Sequence, residues 1–408
     1  MDDTMVAGEL AGNTAWILTA AALVLFMVPG LALFYGGMVR AKNALNMLNM
    51  NMWCLGVVPV IWVLVGYSLA AGESGLPIIG DFSLMGMAGI DDASELATFG
   101  FLMTFAAITP ALISGAVADR MKFSAWMVFV PVWSLLVYAP VVYWVYGADG
   151  WIFNLPAHDF AGGTAIHVNA GAAAMALALV VGRRSGWPDN RPVPHNVPFV
   201  MLGAGILWFG WFGFNAGSAL AADGAAAQAF VNTFIAAAAG MVGWALAEYT
   251  RHQRVSTIGI ASGVVAALVA ITPAAGFVGS MHSLAFGAIA GVICFFAIEA
   301  KFRVGFDDSL DVVGIHWVGG AVGGVLVGFF ADASAVPGGD FIDGVLFGGG
   351  VLLWNQVLSI VVVTAYSFAV TWIIATVIKA TMGIRVSSEV EMAGIDVSDH
   401  GEAAYQLN

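Results

Sequence analysis

Charged residues are scarce in this chain of 408 residues: only 10% are Asp, Glu, Lys or Arg, while 60% are hydrophobic. A typical soluble domain is about 25% charged and about 45–50% apolar. Because so few charges cannot cover a water-facing surface, the composition excludes an ordinary soluble enzyme and a disordered protein. A nucleic-acid-binding protein would need a basic face, whereas the formal net charge here is −13.

Cysteine is almost absent as well. Cys54 and Cys294 both lie inside apolar runs, so we predict two buried hydrophobic side chains rather than a disulfide framework or a metal site. The chain also lacks a Gly-Lys-Ser/Thr phosphate loop, which argues against an ATP-driven pump. We therefore expect neither a cofactor nor a bound metal.

Long apolar runs, in contrast, are abundant. A membrane helix needs about 20 mostly apolar residues, and eleven runs meet this length without the alternation of β-barrel strands. The acidic N-terminus lacks the positive region of a cleaved signal peptide, so we expect the first run to be a permanent span. The predicted spans are 14–38, 47–70, 97–118, 123–146, 161–182, 197–221, 227–249, 257–275, 279–299, 310–331 and 348–378. The sequence thus predicts an all-α integral membrane protein with eleven transmembrane helices.

The basic residues predict the orientation of these spans. All thirteen Lys and Arg residues follow odd-numbered spans, and cytoplasmic loops are the ones enriched in Lys and Arg. We therefore expect a multi-pass protein of the cell (inner or plasma) membrane, with its N-terminus outside and its C-terminus inside. The outer face would then have a net charge of −14 and the inner face +1. An acidic outer face attracts cations modestly, although exclusion of basic residues from translocated loops produces the same bias.

One motif occurs twice, five spans apart. Asp159 precedes His167 by eight residues, as Asp308 precedes His316, and an Ile stands directly before each histidine. Because five is an odd number, the second copy enters the membrane from the opposite face, as in transporters built from inverted repeats. The predicted parts are a membrane domain, 1–382, with repeats of about 14–182 and 197–331 and a last helix of about 348–378, and a cytoplasmic tail, 383–408.

His167 and His316 lie well inside predicted spans, whereas the other histidines lie in loops, at span ends or in the tail. Ionisable groups at membrane depth usually face a cavity or each other. A neutral imidazole donates through one nitrogen and accepts through the other, so a facing pair could bind a small N–H solute and relay a proton. The pair has no further ligand for a metal and no nucleophile beside it, which argues against an enzyme. The alternative is that each histidine bonds separately to a neighbouring helix.

Polar and aromatic residues lie towards the outer ends of the third, fifth and sixth predicted spans. Asp159 is roughly 12 Å along the helix axis from His167, where it would either cap backbone N–H groups or attract a cation. Phe101 and Phe105 share one helix face. Ser218 ends an aromatic run, and a hydroxyl beside aromatic rings could bind a small cation. Helix packing is the alternative explanation for these rings.

These segments resemble the signatures of the Amt/Mep/Rh ammonium transporter family. The matching stretches are 159–171, 210–218, 101–108 and 307–316, and the tail 383–405 resembles the bacterial or archaeal Amt branch. The resemblance implies a homotrimer in the lipid bilayer, with a pore for ammonium or ammonia through each subunit. It also implies a possible PII-type regulatory partner at the cytoplasmic face.

The resemblance assigns roles to individual residues. Ser218, Phe105 and Asp159 match the outer site that recruits ammonium. Where the family usually has a tryptophan there, this chain has Tyr146, with Trp144 as a competing alignment. Phe105 and Phe214 match the stacked gate, and His167 and His316 match the paired pore histidines.

The expected mechanism follows from the cost of moving charge. Ammonium resembles a lysine head group with a pKa near ~10, and an intact dehydrated cation is costly to place in an apolar tube. We expect ammonium to bind outside and to lose its proton below the phenylalanine gate, after which ammonia passes and His167 and His316 help to relay the proton separately. Two alternatives stay open: an electroneutral ammonia channel, and an ammonium sensor that transports little.

Overall fold

The computed structural model describes residues 3–189 and 193–405. Within these ranges the chain is helical, and one isolated β-bridge joins Met121 to Arg385. The long helices are α1 (Asp3–Met38), α2 (Ala41–Ala71), α3 (Ala93–Val117), α4 (Phe123–Tyr146), α5 (Gly163–Val181), α6 (Val197–Gly217), α7 (Gly224–His252), α8 (Thr257–Ile271), α9 (Ser280–Val304), α10 (Val313–Phe330) and α11 (Gly350–Thr381). A short helix, α12 (Ser388–Ala393), follows in the tail.

Ten of these helices are long and apolar enough to cross a membrane. The exception is α8, which has 15 residues and stops at Ile271 although the apolar run continues to residue 275. The regular helix ends just before Pro273, which has no N–H group to donate to the carbonyl four residues earlier, although Thr272 still has helical backbone angles. The described residues thus contain ten helices of spanning length plus the shorter α8, and the predicted count of eleven spans stays a prediction.

The ends of the helices follow from local sequence. Asp92, Asp223, Ser256 and Asn196 each accept hydrogen bonds from backbone N–H groups in the first turn of the helix that follows them. Such side chains satisfy donors that a helix start leaves unpaired. Two of these four helices, α6 and α8, begin at the predicted residue, whereas α3 and α7 begin four and three residues earlier than predicted.

α5 and α10 cross in antiparallel directions at two glycines. A Cβ atom added at Gly171 would lie 2.5 Å from the Cβ atom of Trp317, and one added at Gly320 would lie 3.1 Å from Cγ2 of Val168. Glycine allows the two backbones to come this close, as it does at many membrane helix crossings. The two contacts are mirrored: Gly171 corresponds to Gly320 and Val168 to Trp317, with the same number of residues between the members of each pair.

A matching pair of hydrogen bonds joins each of these helices to a neighbour. Ahead of α5, Phe160 N donates to Pro273 O (3.1 Å) and Ala161 N to Thr272 O (3.2 Å). Ahead of α10, Ser309 N donates to Ala116 O (3.3 Å) and Leu310 N to Gly115 O (3.1 Å). Thus α5 meets the end of α8 in the same way that α10 meets the end of α3, as expected for inverted repeats.

The segments that follow odd-numbered helices lie together on what we call the basic face. Asp119, after α3, binds Arg40 at 3.3 Å and Arg184 at 3.9 Å, and Arg184 also binds Asp307 at 2.7 Å. These ion pairs connect the segments after α1, α3, α5 and α9. Arg191 lies outside the described residues.

The segments that follow even-numbered helices lie together on the opposite, acidic face. Trp151 N donates to Pro77 O (3.2 Å), which joins the segments after α4 and α2. Asp332 N donates to Phe277 O (3.0 Å), which joins the segments after α10 and α8. The alternation of faces agrees with the distribution of charge along the sequence.

The C-terminal tail packs against the basic face of its own chain. Asp396 accepts hydrogen bonds from the backbone N–H groups of Leu45 (3.0 Å) and Asn46 (2.8 Å) near the start of α2. The Tyr405 hydroxyl meets His195 Nε2 at 3.0 Å in the segment between α5 and α6. The tail is therefore a packed part of the subunit.

Candidate functional site

The two predicted histidines face each other in the interior. His167 Nδ1 and His316 Nδ1 are 3.2 Å apart, and the ring centroids are 5.2 Å apart with planes at 21°. Only 1% of His167 and 3% of His316 is exposed. One Nδ1 must donate while the other accepts, so the pair shares a proton between its rings and cannot hold two protonated Nδ1 atoms in this geometry.

Each histidine lies in a wide π-helical turn at the start of its helix: Gly163–Val168 in α5 and Val313–Trp317 in α10. Such turns often occur at functional sites, because they redirect a side chain from regular helix geometry. His167 Nε2 is buried and has no hydrogen-bond partner among the described residues. This nitrogen is therefore free to bind a solute in the cavity that it lines.

A carboxylate caps each of these turns. Asp159 accepts from the backbone N–H groups of residues 162–165, at distances of 2.5–3.1 Å. Asp308 accepts from Val312 N (3.1 Å) and Val313 N (2.7 Å). The sequence left open whether Asp159 caps a helix or attracts a cation, and the observed contacts are those of a cap.

A column of rings leads from the acidic face to the histidines. Phe105 and Phe214 stack with centroids 4.2 Å apart and planes at 22°, and Phe101 meets Phe105 edge-on at 4.8 Å. Phe214 lies next to His167, with centroids 6.0 Å apart. Phe105 and Phe214 are 5% and 1% exposed, so both stacked rings are buried above the histidines.

Trp211 is a member of this column that the sequence analysis did not single out. Its ring stacks on His167 at 5.4 Å, and its indole N–H donates to Thr272 Oγ1 at 2.9 Å. The sequence feature that could have identified Trp211 is its position one helical turn before Phe214, which places both rings on one face of α6.

Below the rings, a narrow apolar cavity surrounds the histidines. Its walls include Leu31, Ile108, Leu207 and Val265, and the space open to the centre of a water-sized molecule is about 10 Å³. That is about the minimum volume that holds one water. The cavity therefore admits small neutral molecules one at a time and offers little to compensate a bare cation.

A wide vestibule of about 660 Å³ opens on the basic face, lined in part by Ser262, Asp311 and Ile315. Ser262 precedes Val265 on α8, and Ile315 precedes His316 on α10, so the vestibule adjoins the inner end of the narrow cavity. The narrow cavity and the vestibule together outline a route from the histidines to the basic face.

The residues predicted for the outer site lie around the other end of the column, but they are not all in contact. Ser218 Oγ donates to Phe214 O at 2.8 Å, next to the stacked rings. Tyr146 is 39% exposed at the end of α4. Within the described parts of the chain, no ring contact or hydrogen bond joins Tyr146 to Ser218 or Phe105.

Trp144, the competing candidate, is fixed elsewhere. It is 6% exposed, its indole N–H donates to Ile78 O at 2.7 Å, and its ring lies 4.6 Å from that of Tyr366 on α11.

As for metals, the described residues contain no group of three or more His, Cys, Asp or Glu side chains placed to hold an ion.

Known proteins resemble this chain over nearly its whole length. The sequence model described as Ammonium Transporter Family matches residues 15–405. The chain is 49% identical to an ammonium transporter of Mycobacterium tuberculosis, over 97% of this chain and 90% of that protein. It is 48% identical to an ammonium transporter of Aquifex aeolicus, over 97% of this chain and 94% of that protein.

Solved structures show the same fold. The crystal structure of Candida albicans Mep2 superposes with a TM-score of 0.89 at 35% identity, over 97% of this chain and 90% of that chain. A structure titled "Sensor Amt Protein" superposes with a TM-score of 0.90 at 28% identity, over 98% of this chain and all of that chain (100%).

Proposed function

The chain belongs to the ammonium transporter family, and we propose that it takes ammonium from the acidic face and conducts it inward as ammonia plus a separately relayed proton. The observation that supports this most is the direct contact of His167 with His316 inside a cavity with room for about one water-sized molecule. The family and the apolar helices make it a multi-pass membrane protein rather than an enzyme.

Recruitment takes place above the stacked rings. Ser218 supplies an oxygen, and Phe105 and Tyr146 supply π faces, a combination that attracts a small cation. The burial and hydrogen bond of Trp144 support Tyr146 as the aromatic residue of this site. Asp159 adds negative charge near the mouth, while its four N–H contacts hold the turn that contains His167.

Deprotonation follows from the shape of the pore. The Phe105 and Phe214 rings separate the recruitment site from an apolar cavity in which ammonium is poorly solvated, whereas neutral ammonia enters at far lower cost. Potassium has a similar charge but no proton to lose, so it is excluded. Below the rings, His167 Nε2 accepts the proton that ammonium loses, and the proton on His167 Nδ1 passes to His316 Nδ1 across their contact, so net charge crosses the membrane.

The proposed architecture has all eleven long helices crossing the bilayer, with the acidic face outside. It divides residues 1–382 into inverted repeats of about 14–182 and 197–331 plus a last helix, and leaves 383–408 as a cytoplasmic tail. Three copies form a homotrimer with one pore in each, and the basic face is the surface for a PII-type regulator. The mirrored contacts of α5 and α10 support the repeats.

A sensor that transports little is the second candidate, because a solved relative with the same fold has a title that calls it a sensor. Expression in a host that lacks its own ammonium transporters separates the two functions. Growth on low ammonium at mildly acidic pH supports transport, since free ammonia is scarce there. Failure of the correctly inserted protein to restore growth would favour the sensor.

A further inference from the structure

Arg120, in the segment between α3 and α4, is fully buried and binds four acceptors. Its Nε donates to Gly182 O (2.7 Å) and its Nη2 to Asp307 O (2.6 Å). Its Nη1 donates to Ala118 O (3.2 Å) and to the hydroxyl of Ser309. Burial lowers the pKa of Arg120 to about 10, which leaves the guanidinium protonated at neutral pH.

Three of these acceptors flank the two helices that contain the histidines, and the fourth, Ala118 O, lies in the same segment as Arg120. Gly182 ends α5, which contains His167. Asp307 and Ser309 flank Asp308, which caps the turn that contains His316. One rigid planar group thus binds both helices on the basic face, and such a fork holds its acceptors in a fixed arrangement.

The mirrored position on the acidic face has no such cation. There, Phe160 and Ala161 make the backbone hydrogen bonds that correspond to those of Ser309 and Leu310, but the additional contact is an edge-on pair of rings, Phe160 with Phe277, at 5.4 Å. The two repeats share their backbone contacts, but among the described residues the acidic-face copy has Phe277 where the basic-face copy has the buried Arg120. The shared backbone contacts therefore form in the acidic-face copy without an arginine.

We propose that Arg120 is a positioning residue for the histidine pair: it fixes the end of α5 against the start of α10 and thereby keeps His316 in contact with His167. This inference rests on the proposed function, because it assigns Arg120 a role in proton relay and selectivity. Recruitment lies on the opposite face, so substrate affinity at the outer site does not depend on Arg120.

The test uses the full chain in proteoliposomes, with currents measured after steps of ammonium or potassium and scaled to the amount of inserted protein. Arg120→Lys keeps the charge but loses the planar fork, so one amine cannot reach Gly182, Asp307 and Ser309 together. We expect the maximal ammonium current to fall about tenfold, since sub-ångström misplacement of reacting groups has effects of this order. KM should stay within about twofold, and the potassium-to-ammonium ratio should rise.

Ser309→Ala is the milder variant, because it removes one acceptor of Arg120 together with the hydroxyl contacts to Ala116 O and Ala118 O, but leaves the hydrogen bond from Ser309 N. It should lower the maximal current about two- to threefold with the same change in selectivity, and it decides the question if Arg120→Lys yields no folded protein. The matched control is Arg303→Lys on the same face, an exposed residue without an ion pair among the described residues, which should behave as wild type.

The outcomes separate the two proposals. If the wild-type chain gives no ammonium current, the proposed function fails. The positioning role is wrong if the wild type conducts and Ser309→Ala keeps the wild-type maximal current and selectivity. The same result is required of Arg120→Lys if that variant folds. A loss of inserted protein without a change in selectivity per molecule also contradicts it, since that is the result of a purely structural role.

Discussion

Substitution of Gly171 by alanine should separate the paired histidines without touching either one. The added Cβ atom would lie 2.5 Å from Cβ of Trp317, whereas ordinary contacts begin at 3.4 Å, so α5 and α10 must move apart by almost 1 Å. The Nδ1 atoms are now 3.2 Å apart, and this shift takes them beyond hydrogen-bond distance. We expect the ammonium current to fall on the order of tenfold to a hundredfold.

Gly320→Ala provides a graded comparison at the same crossing. Its nearest neighbour would be Gly163 O at 2.8 Å, so the helices need to separate by only about two thirds as much, and the loss should be smaller than in Gly171→Ala. Gly56→Ala on α2 is the control, because a Cβ atom there meets nothing within 4 Å. Wild-type current and selectivity in Gly171→Ala, at normal insertion, would refute the claim that the histidine contact depends on this crossing.

Three further predictions concern the outer site, the gate and the tail. Tyr146→Trp should lower KM for ammonium by about two- to fivefold, because tryptophan presents the stronger π face; an unchanged KM in uptake assays would count against Tyr146. Phe214→Ala should raise the potassium current by opening the stacked pair, and a selective pore in that variant would contradict the gate. The pKa of Glu391 is raised by burial but lowered further by its hydrogen bonds to Arg385 and Ser185, with a net decrease. The contribution of Glu391 to tail docking is therefore complete above its ordinary pKa, and it is lost only as the pH falls through the lower pKa that Glu391 has in the folded protein. Proteolysis of the tail should accordingly be constant from about pH 5 to 8. Glu391→Gln should be cleaved several-fold faster at pH 7, and equal cleavage would exclude this contact as a tether.

The sequence was sufficient for those parts of the site in which ionisable or aromatic residues stand in apolar helices. His167 and His316 could be found because charge-bearing groups are rare at membrane depth, and their shared offset placed them on related helices. α4 was predicted with its observed bounds, Phe123–Tyr146, because a loop with basic residues precedes its apolar run.

Other features depend on contacts between distant segments, which apolar periodicity does not encode. The choice between Trp144 and Tyr146 depends on which side of α4 meets Ile78 and Tyr366. The docked tail depends on hydrogen bonds between Asp396 and residues about 350 positions earlier. The end of α8 at Ile271 was predictable in principle from Pro273, but the apolar run masked it.

The central claim is that the proton and ammonia cross separately through a pore containing the histidine pair. The direct measurement is the current across proteoliposomes that contain the full chain, after an ammonium step and after an equal potassium step, for the wild type and for His167→Ala and His316→Ala. The account predicts an inward current for ammonium and none for potassium in the wild type, with loss of transport or of selectivity in each variant. Ammonia flux without current in the wild type, or selective wild-type currents in both variants, would contradict it.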